Sequence, residues 1–197
     1  MIAAIVLAAG LSRRMGVPKM VLPWKNTTVI GQVVDVLAQA GINEMVVVTG
    51  GAHEKVEAAL EGLPVKLVFN PRYPEDEMAY SLQAGLLALS EEVEATLVAL
   101  GDQPQIECTV VQAIMAAYQQ SKAALIVPSY KMRRGHPWLM VRSLWPEVQI
   151  LPSGRTLRDV LNAQAEQINY LQVDTPSILQ DLDTPEDYRC SGYNRHV

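Results

Sequence analysis

Arg13, Arg14 and Lys19 follow a run of small residues, Ala8-Ala9-Gly10-Leu11-Ser12, which itself follows the apolar stretch Ile2 to Leu7. A small-residue loop at the carboxyl end of a strand can wrap backbone N–H groups and positive charge around phosphates. An ordinary tight turn has no use for so many cations. The spacing fits neither the GxGxxG nor the GxxxxGK[ST] pattern, so the mechanics of those phosphate loops do not carry over. Two acidic segments come later: Gly101-Asp102-Gln103-Pro104, and Asp181-Leu182-Asp183-Thr184-Pro185-Glu186-Asp187. Carboxylate oxygens are hard ligands that suit Mg²⁺, and a divalent cation between carboxylates and phosphates is the usual apparatus of phosphoryl transfer.

Each acidic segment also has a purely structural reading. Asp102, between Gly and Pro, is expected to cap a helix opening near Ile106 if it has no chemical role. Asp183 would cap a helix opening at Thr184-Pro185, with the neighbouring acids favoured by the helix dipole. Asp181 and Asp183 are separated by one residue and point the same way in an extended chain, as a metal clamp requires; the residues alone do not choose the ligand. His53, after Thr49-Gly50-Gly51-Ala52, reads as a polar cap or a surface group. Cys108 and Cys190 lack metal-ligand spacing, and the methionines form no stripe. No Ser/His/Asp arrangement stands out.

Leu7-Ala8-Ala9-Gly10-x-Ser12-x-Arg14-Met15-Gly16-x-x-Lys19 resembles the signature of the MobA-like nucleotidyltransferases, relatives of the enzymes that make molybdenum cofactor dinucleotides. The Gly101–Pro104 and Asp181–Asp187 segments resemble the same family in the same order, so the likeness spans nearly the whole chain. The resemblance implies an α/β fold of three layers, with a mostly parallel sheet, helices on both faces and a small hairpin insertion. The implied activity is transfer of a nucleoside monophosphate to a phosphate monoester, with Mg²⁺ or Mn²⁺ and release of pyrophosphate. Carried onto this chain, it puts Leu7, Ala8, Ala9, Gly10, Ser12, Arg13, Arg14, Lys19, Gly50 and Asp102 around the nucleotide. Arg14, Lys19 and Asp102 would be catalytic, and Asp102, Asp181 and Asp183 would face the metal, with Asp183 favoured as the ligand of the pair.

For the acceptor, the resemblance implies Ser81, Gln83, Gln103 and His136, the last in Arg134-Gly135-His136-Pro137. Two departures bear on acceptor identity. Glu77 stands where the pattern commonly has Gly before Met, and Leu151-Pro152-Ser153-Gly154-Arg155-Thr156 lacks an expected Asp and reads as a plain helix start. Ala9, where the guanylyl-transferring branch more often has Gly, points to CTP, and molybdopterin is the first choice of acceptor, with a molybdoenzyme as a downstream partner. Transfer to a sugar or alcohol phosphate is the alternative within the class. A non-catalytic insertion chaperone or nucleotide-binding regulator is the alternative outside it.

These residues need a scaffold to position them. The chain has 197 residues, 49% of them hydrophobic, enough for one sizeable core and short for two, so a single domain over 1–197 is expected. A net charge of −5 argues against a nucleic-acid or membrane-surface protein. No window reaches the uncharged apolar length of a membrane helix, and the first apolar run ends in Gly and Arg rather than a cleavage site, so a soluble protein is expected; two isolated cysteines, with no disulfide framework, point to a reducing cytoplasm. β-branched runs at Ile2–Leu7, Glu44–Val48, Val65–Phe69, Thr96–Leu100 and Leu125–Val127 read as strands. Between them, helical patterns start at Thr28, with Gly41 as the stop, and cover Glu54–Leu60, Ala79–Leu89, Thr109–Gln120 and Thr156–Ala163. This alternation predicts a parallel sheet. From Pro128 to Pro152 the apolar rhythm breaks, which predicts a hairpin beside the sheet. Ligands in such folds sit beyond the carboxyl ends of the strands, where the first loop, the Asp102 loop and the hairpin could converge.

Overall fold

The computed structural model describes residues 1–75, 77–152 and 154–191; Asp76, Ser153 and the end of the tail, residues 192–197, lie outside the described residues. The chain runs through β1 (Ile2–Ala8), a small ribbon of β2 (Pro23–Trp24) and β3 (Thr27–Thr28), α1 (Val29–Gln39) and β4 (Met45–Thr49). It continues with α2 (His53–Ala59), β5 (Lys66–Phe69), α3 (Met78–Ala88), β6 (Ala95–Leu100), α4 (Cys108–Ser121), β7 (Leu125–Tyr130), β8 (Arg133–Arg134) and β9 (Trp138–Val141). The last elements are α5 (Trp145–Gln149), α6 (Leu157–Ala163), β10 (Ile168–Gln172) and α7 (Pro185–Cys190).

The main sheet has the order β10-β7-β9-β6-β1-β4-β5, with β8 paired to β7. β1 is parallel to both neighbours, with Val6 opposite Val47 on one side and Ala99 on the other. Its alternate side chains feed two cores. Ala4 and Val6 join α1 and α4 through Val33, Leu37, Val111 and Ile114. Ala3, Ile5 and Leu7 join α3 and α5 through Leu82, Leu86, Trp145 and Val148. A strand buried on both faces has no polar side to show, which is why β1, β4 and β6 read as unbroken apolar runs. The three-layer, mostly parallel architecture expected from the alternation is therefore present. α1 begins where expected, with the Thr28 side chain accepting a hydrogen bond from the Gly31 N–H at 3.1 Å, and the chain turns away at Gly41, φ +99°.

One expectation is corrected. The segment after Pro128 does not lie beside the sheet: β7 and β8 form the hairpin, and β9 then enters the middle of the sheet, antiparallel to β6 and β7. Leu139 is opposite Leu97 on one side and Ile126 on the other. The apolar run Trp138 to Val141 is too short to show a period, and the polar residues of the preceding turn mask it. β10, paired to β7 at the sheet edge, also went unrecognised, because its half-exposed alternation with Asn169 and Gln172 looks like loop.

The turn between β8 and β9 is pinned to the 3-10 turn Pro176–Leu179, since the His136 N–H donates to the Ile178 carbonyl at 3.0 Å. Gly135 makes this close approach possible; a Cβ there would stand 2.4 Å from the Ile178 oxygen. His136 is only partly exposed, its ring 6.4 Å from that of Trp138, and burial pushes its pKa down to about 4. Among the described residues no helix is long and apolar enough to cross a membrane.

Two outcomes follow from this anchor. Gly135→Ala should lower stability by about 1–3 kcal/mol, read as a lower urea midpoint at unchanged slope. The unfolded chain protonates His136 near its ordinary value of about 6.5, while the folded chain resists until about 4. Its contribution is therefore full above about pH 6.5 and lost as the pH falls toward 4. In a comparison of melting temperatures, His136→Gln should flatten the decline of stability across that interval.

Candidate active site

β1 delivers its chain to the carboxyl edge of the sheet, and the residues from Ala9 to Pro18 fold back as a loop. Ser12, at φ +50°, forms the sharp corner: its carbonyl accepts from the Met15 and Gly16 N–H groups at 3.1 Å each, and its hydroxyl accepts from the Lys19 N–H at 3.2 Å. Met15 then turns inward and packs with Trp24, Val29 and Leu182. This apolar plug fastens the amino-terminal loop to the acidic segment near the other end of the chain.

Asp102 leaves the end of β6 beside that loop. The Gly101 N–H donates to the Leu7 carbonyl at 3.0 Å, and the Asp102 carbonyl accepts from the Leu182 N–H at 3.0 Å. Neither acid serves as a helix cap. α4 opens at Cys108, close to the expected Thr109, with Glu107 rather than Asp102 at its cap position, and α7 is capped by Thr184 and Asp187 acting on each other. The Thr184 N–H donates to Asp187 at 2.7 Å, and Thr184 Oγ1 accepts from the Asp187 N–H at 3.2 Å. Because Thr184 takes the capping duty, the Asp183 carboxylate is released to face the loop.

There it meets the cations. Lys19 is 8% exposed, and its Nζ stands 2.5 Å from Asp102 and 3.0 Å from Asp183. Arg14 reaches the other Asp183 oxygen at 2.8 Å. Burial works against the Lys19 charge, but attraction to Asp102 and hydrogen bonds to both carboxylates outweigh it, so its pKa is raised. Asp181 is raised by burial, opposed by its hydrogen bond from Gln103, and raised further by repulsion from Asp102 and Asp183. A carboxylate in that position favours a cation beside it.

These groups line one cleft of about 480 Å³. It gathers Leu7, Ala9, Gly10, Ser12, Arg13, Arg14, Lys19, Ser81, Asp102, Asp181 and Asp183 from the residues expected to act. It does not gather the others. Ala8 remains in β1, and Gly50 supports the loop from behind, where a Cβ would be 2.5 Å from the Ala9 oxygen. Gln83 donates to the Val148 carbonyl at 2.8 Å and so ties α3 to α5. Gln103, also buried, donates to Asp181 at 2.6 Å and orients that acid instead of facing a ligand. His136 lies at the turn anchor described above.

Several lining residues carry no sequence signal for a site: Leu11, Met20, Tyr73 and Leu100; Glu77, noted above only as a departure from the family pattern, also lines the cleft with Met78. Asn70 was also missed. Its buried amide donates to Ser81 Oγ at 3.0 Å and its oxygen accepts from the Arg72 N–H at 2.9 Å, so one side chain sets both the turn after β5 and a hydroxyl of the cleft. Its position between a strand and Pro71 was the available clue.

A sequence profile of the MobA-like NTP transferase domain matches residues 4–168. A nicotine blue oxidoreductase of Paenarthrobacter nicotinovorans is 28% identical over 94% of this chain and 93% of its own. A molybdenum cofactor cytidylyltransferase of Escherichia coli is 26% identical over 93% of this chain and 92% of its own. Among solved structures, Rv0371c of Mycobacterium tuberculosis superposes with a TM-score of 0.85 at 30% identity, covering 96% of each chain, and was also solved as a complex with manganese. The matched span contains the loop, Asp102 and most of the sheet, while Asp181 and Asp183 come from the segment beyond it. The chain belongs to the MobA-like NTP transferase family.

Proposed function

We propose that the protein is a cytidylyltransferase: it moves CMP from CTP to the phosphate of molybdopterin and releases pyrophosphate. The observation that carries the transferase reading is the meeting of Arg14 and Lys19 with Asp102 and Asp183 in one cleft. Family membership supports nucleotidyl transfer. The choice of CTP and molybdopterin rests on Ala9 in the loop and on the likeness to the Escherichia coli cytidylyltransferase. A binding module would not need carboxylates opposed to phosphate-holding cations, which weighs against an insertion chaperone or a nucleotide-binding regulator.

The donor set fits Mg²⁺ or Mn²⁺. Among the described residues no three acidic, imidazole or thiol groups are grouped closely enough to cage an ion alone. Asp102, Asp181 and Asp183 nevertheless line the same wall, and the repulsion felt by Asp181 would be relieved by a cation. Mg²⁺ commonly keeps waters and takes further ligands from substrate phosphates, so a partial protein shell suffices. When bound through Asp102 with Asp183 or Asp181, the ion supplies charge neutralisation at the reacting phosphate.

The chain's own residues do the rest. An oxygen of the acceptor phosphate bonds to the α phosphorus as the bond to the bridging oxygen of pyrophosphate breaks. Arg14 and Lys19 exchange their carboxylate partners for the β and γ phosphates and hold the charge that accumulates on the leaving group. The loop's backbone N–H groups add fixed dipoles. The acceptor is ionised at neutral pH and needs no strong base.

Pyrophosphate release should be read with each of four nucleoside triphosphates, with and without molybdopterin and sugar or alcohol phosphates. Release with CTP and molybdopterin is the expected result; release with another pairing moves the substrate, and none with any pairing overturns the transferase reading. Asp102→Ala should lower kcat at least about 10²-fold while retaining a cooperative melt. Lys19→Ala should cost on the order of 10² in kcat/KM, with weaker nucleotide binding by calorimetry; wild-type values for either variant would remove that residue from the mechanism.

A further inference from the structure

The cleft holds one further carboxylate, beyond Asp102, Asp181 and Asp183, with no assigned task. Glu77 lines it together with Tyr73, Met78 and Ser81. It occupies the cap position of α3, yet its side chain makes no capping hydrogen bond. Its Oε2 is fully occluded and has no hydrogen-bond partner among the described residues. Nearby cations are engaged elsewhere: Arg72 grips Glu75 at 2.7 and 2.8 Å and stacks 3.3 Å over the Tyr80 ring, while Arg14 and Lys19 serve Asp183 and Asp102. An occluded, unpaired carboxylate oxygen is costly in a folded chain, and a ligand that enters the cleft and draws the Glu77 side chain toward itself relieves that cost.

We infer that Glu77 is a specificity-determining residue, accepting hydrogen from a nitrogen donor of the bound ligand, an amino group or an amino group beside a ring N–H. Such a donor meets a carboxylate in a charge-assisted bond, and a ligand lacking it would leave the oxygen stranded. The neighbouring Ser81 adds a second polar contact: its oxygen already accepts from Asn70, which leaves its O–H to donate to an acceptor atom of the same ligand. Apolar Met78, 44% exposed at the rim, and the Tyr73 ring offer flat surfaces for a heterocycle between these groups. The donor can belong to the nucleotide base or to the head of the acceptor. The inference rests on the transferase reading for the cleft's occupants, but not on turnover.

Calorimetry separates the two sources. In the first arm, wild type, Glu77→Leu and Glu77→Gln are titrated, with Mg²⁺ present, with GTP against ITP, which lacks only the amino group, and with CTP against UTP, which has a carbonyl in place of the amino group and a ring N–H beside it. In the second, with saturating nucleotide, O-phosphoethanolamine is compared with glycerol 3-phosphate, and neopterin monophosphate is titrated alone. Wild type should favour the amino-bearing member of one pair by about tenfold or more, and Glu77→Leu should erase that ratio without lowering the melting temperature. Glu77→Gln, which keeps one accepting oxygen, should retain part of it. A collapse in the first arm assigns the donor to the base, and one in the second assigns it to the acceptor. Unchanged ratios in both arms, or an equal loss for every ligand, overturn the role of Glu77 and leave the transferase reading intact. A wild type that binds no nucleotide overturns both.

Discussion

A lysine ammonium buried between two aspartates is the interaction on which this architecture depends. Lys19 comes from the first loop, Asp102 from the middle of the chain and Asp183 from near its end, so the contact closes a loop of more than 160 residues (183 − 19 = 164). Neither sign of charge could be buried there alone, because desolvation would neutralise it or expel it. Together they make a site that is preassembled and electrically balanced before any ligand arrives. On the proposed function, that balance suits a ligand that carries its own anionic phosphates together with a cation, since such a ligand can replace each internal partner in one exchange, whereas either charge alone leaves an unpaired ion behind.

The fold serves this contact by fixing three mobile-looking segments with apolar and backbone ties. The Met15, Trp24, Val29 and Leu182 plug holds the first loop against the last acidic segment. The hydrogen bond between Leu182 and the Asp102 carbonyl registers the two acid-bearing segments against each other. Gln103 fixes Asp181, and Thr184 with Asp187 takes over helix capping so that Asp183 is left for the cleft. Residues that first look like ligands therefore divide into those that line the cleft and those that aim the ones that do.

Much of the scaffold was legible because its signals are local. β1, β4 and β6 are buried on both faces and read as apolar runs, while Thr28 and Gly41 bracket α1 by capping and positive φ. β9 and β10 were not legible. A four-residue strand carries too few residues to display a period, and insertion between β6 and β7 depends on partners far away in sequence. His136 and Gln83 illustrate the corresponding limit for sites: their residue types suit ligand binding, but packing commits one to a turn anchor and the other to α5.

By itself, the sequence determined the loop of small residues with its cations, the acids that could oppose them, and the alternation that makes a sheet with helices on two faces. These follow from residue type and short-range spacing, which act without regard to the rest of the chain. Only the tertiary structure decided that Lys19 sits between Asp102 and Asp183, that Gln103 donates to Asp181, that Asn70 sets Ser81, and that Glu77 lines the cleft with one oxygen occluded and unpaired. The physical reason is that burial and partnership belong to pairs of groups distant along the chain, and no local pattern encodes which of several chemically similar side chains will find the other.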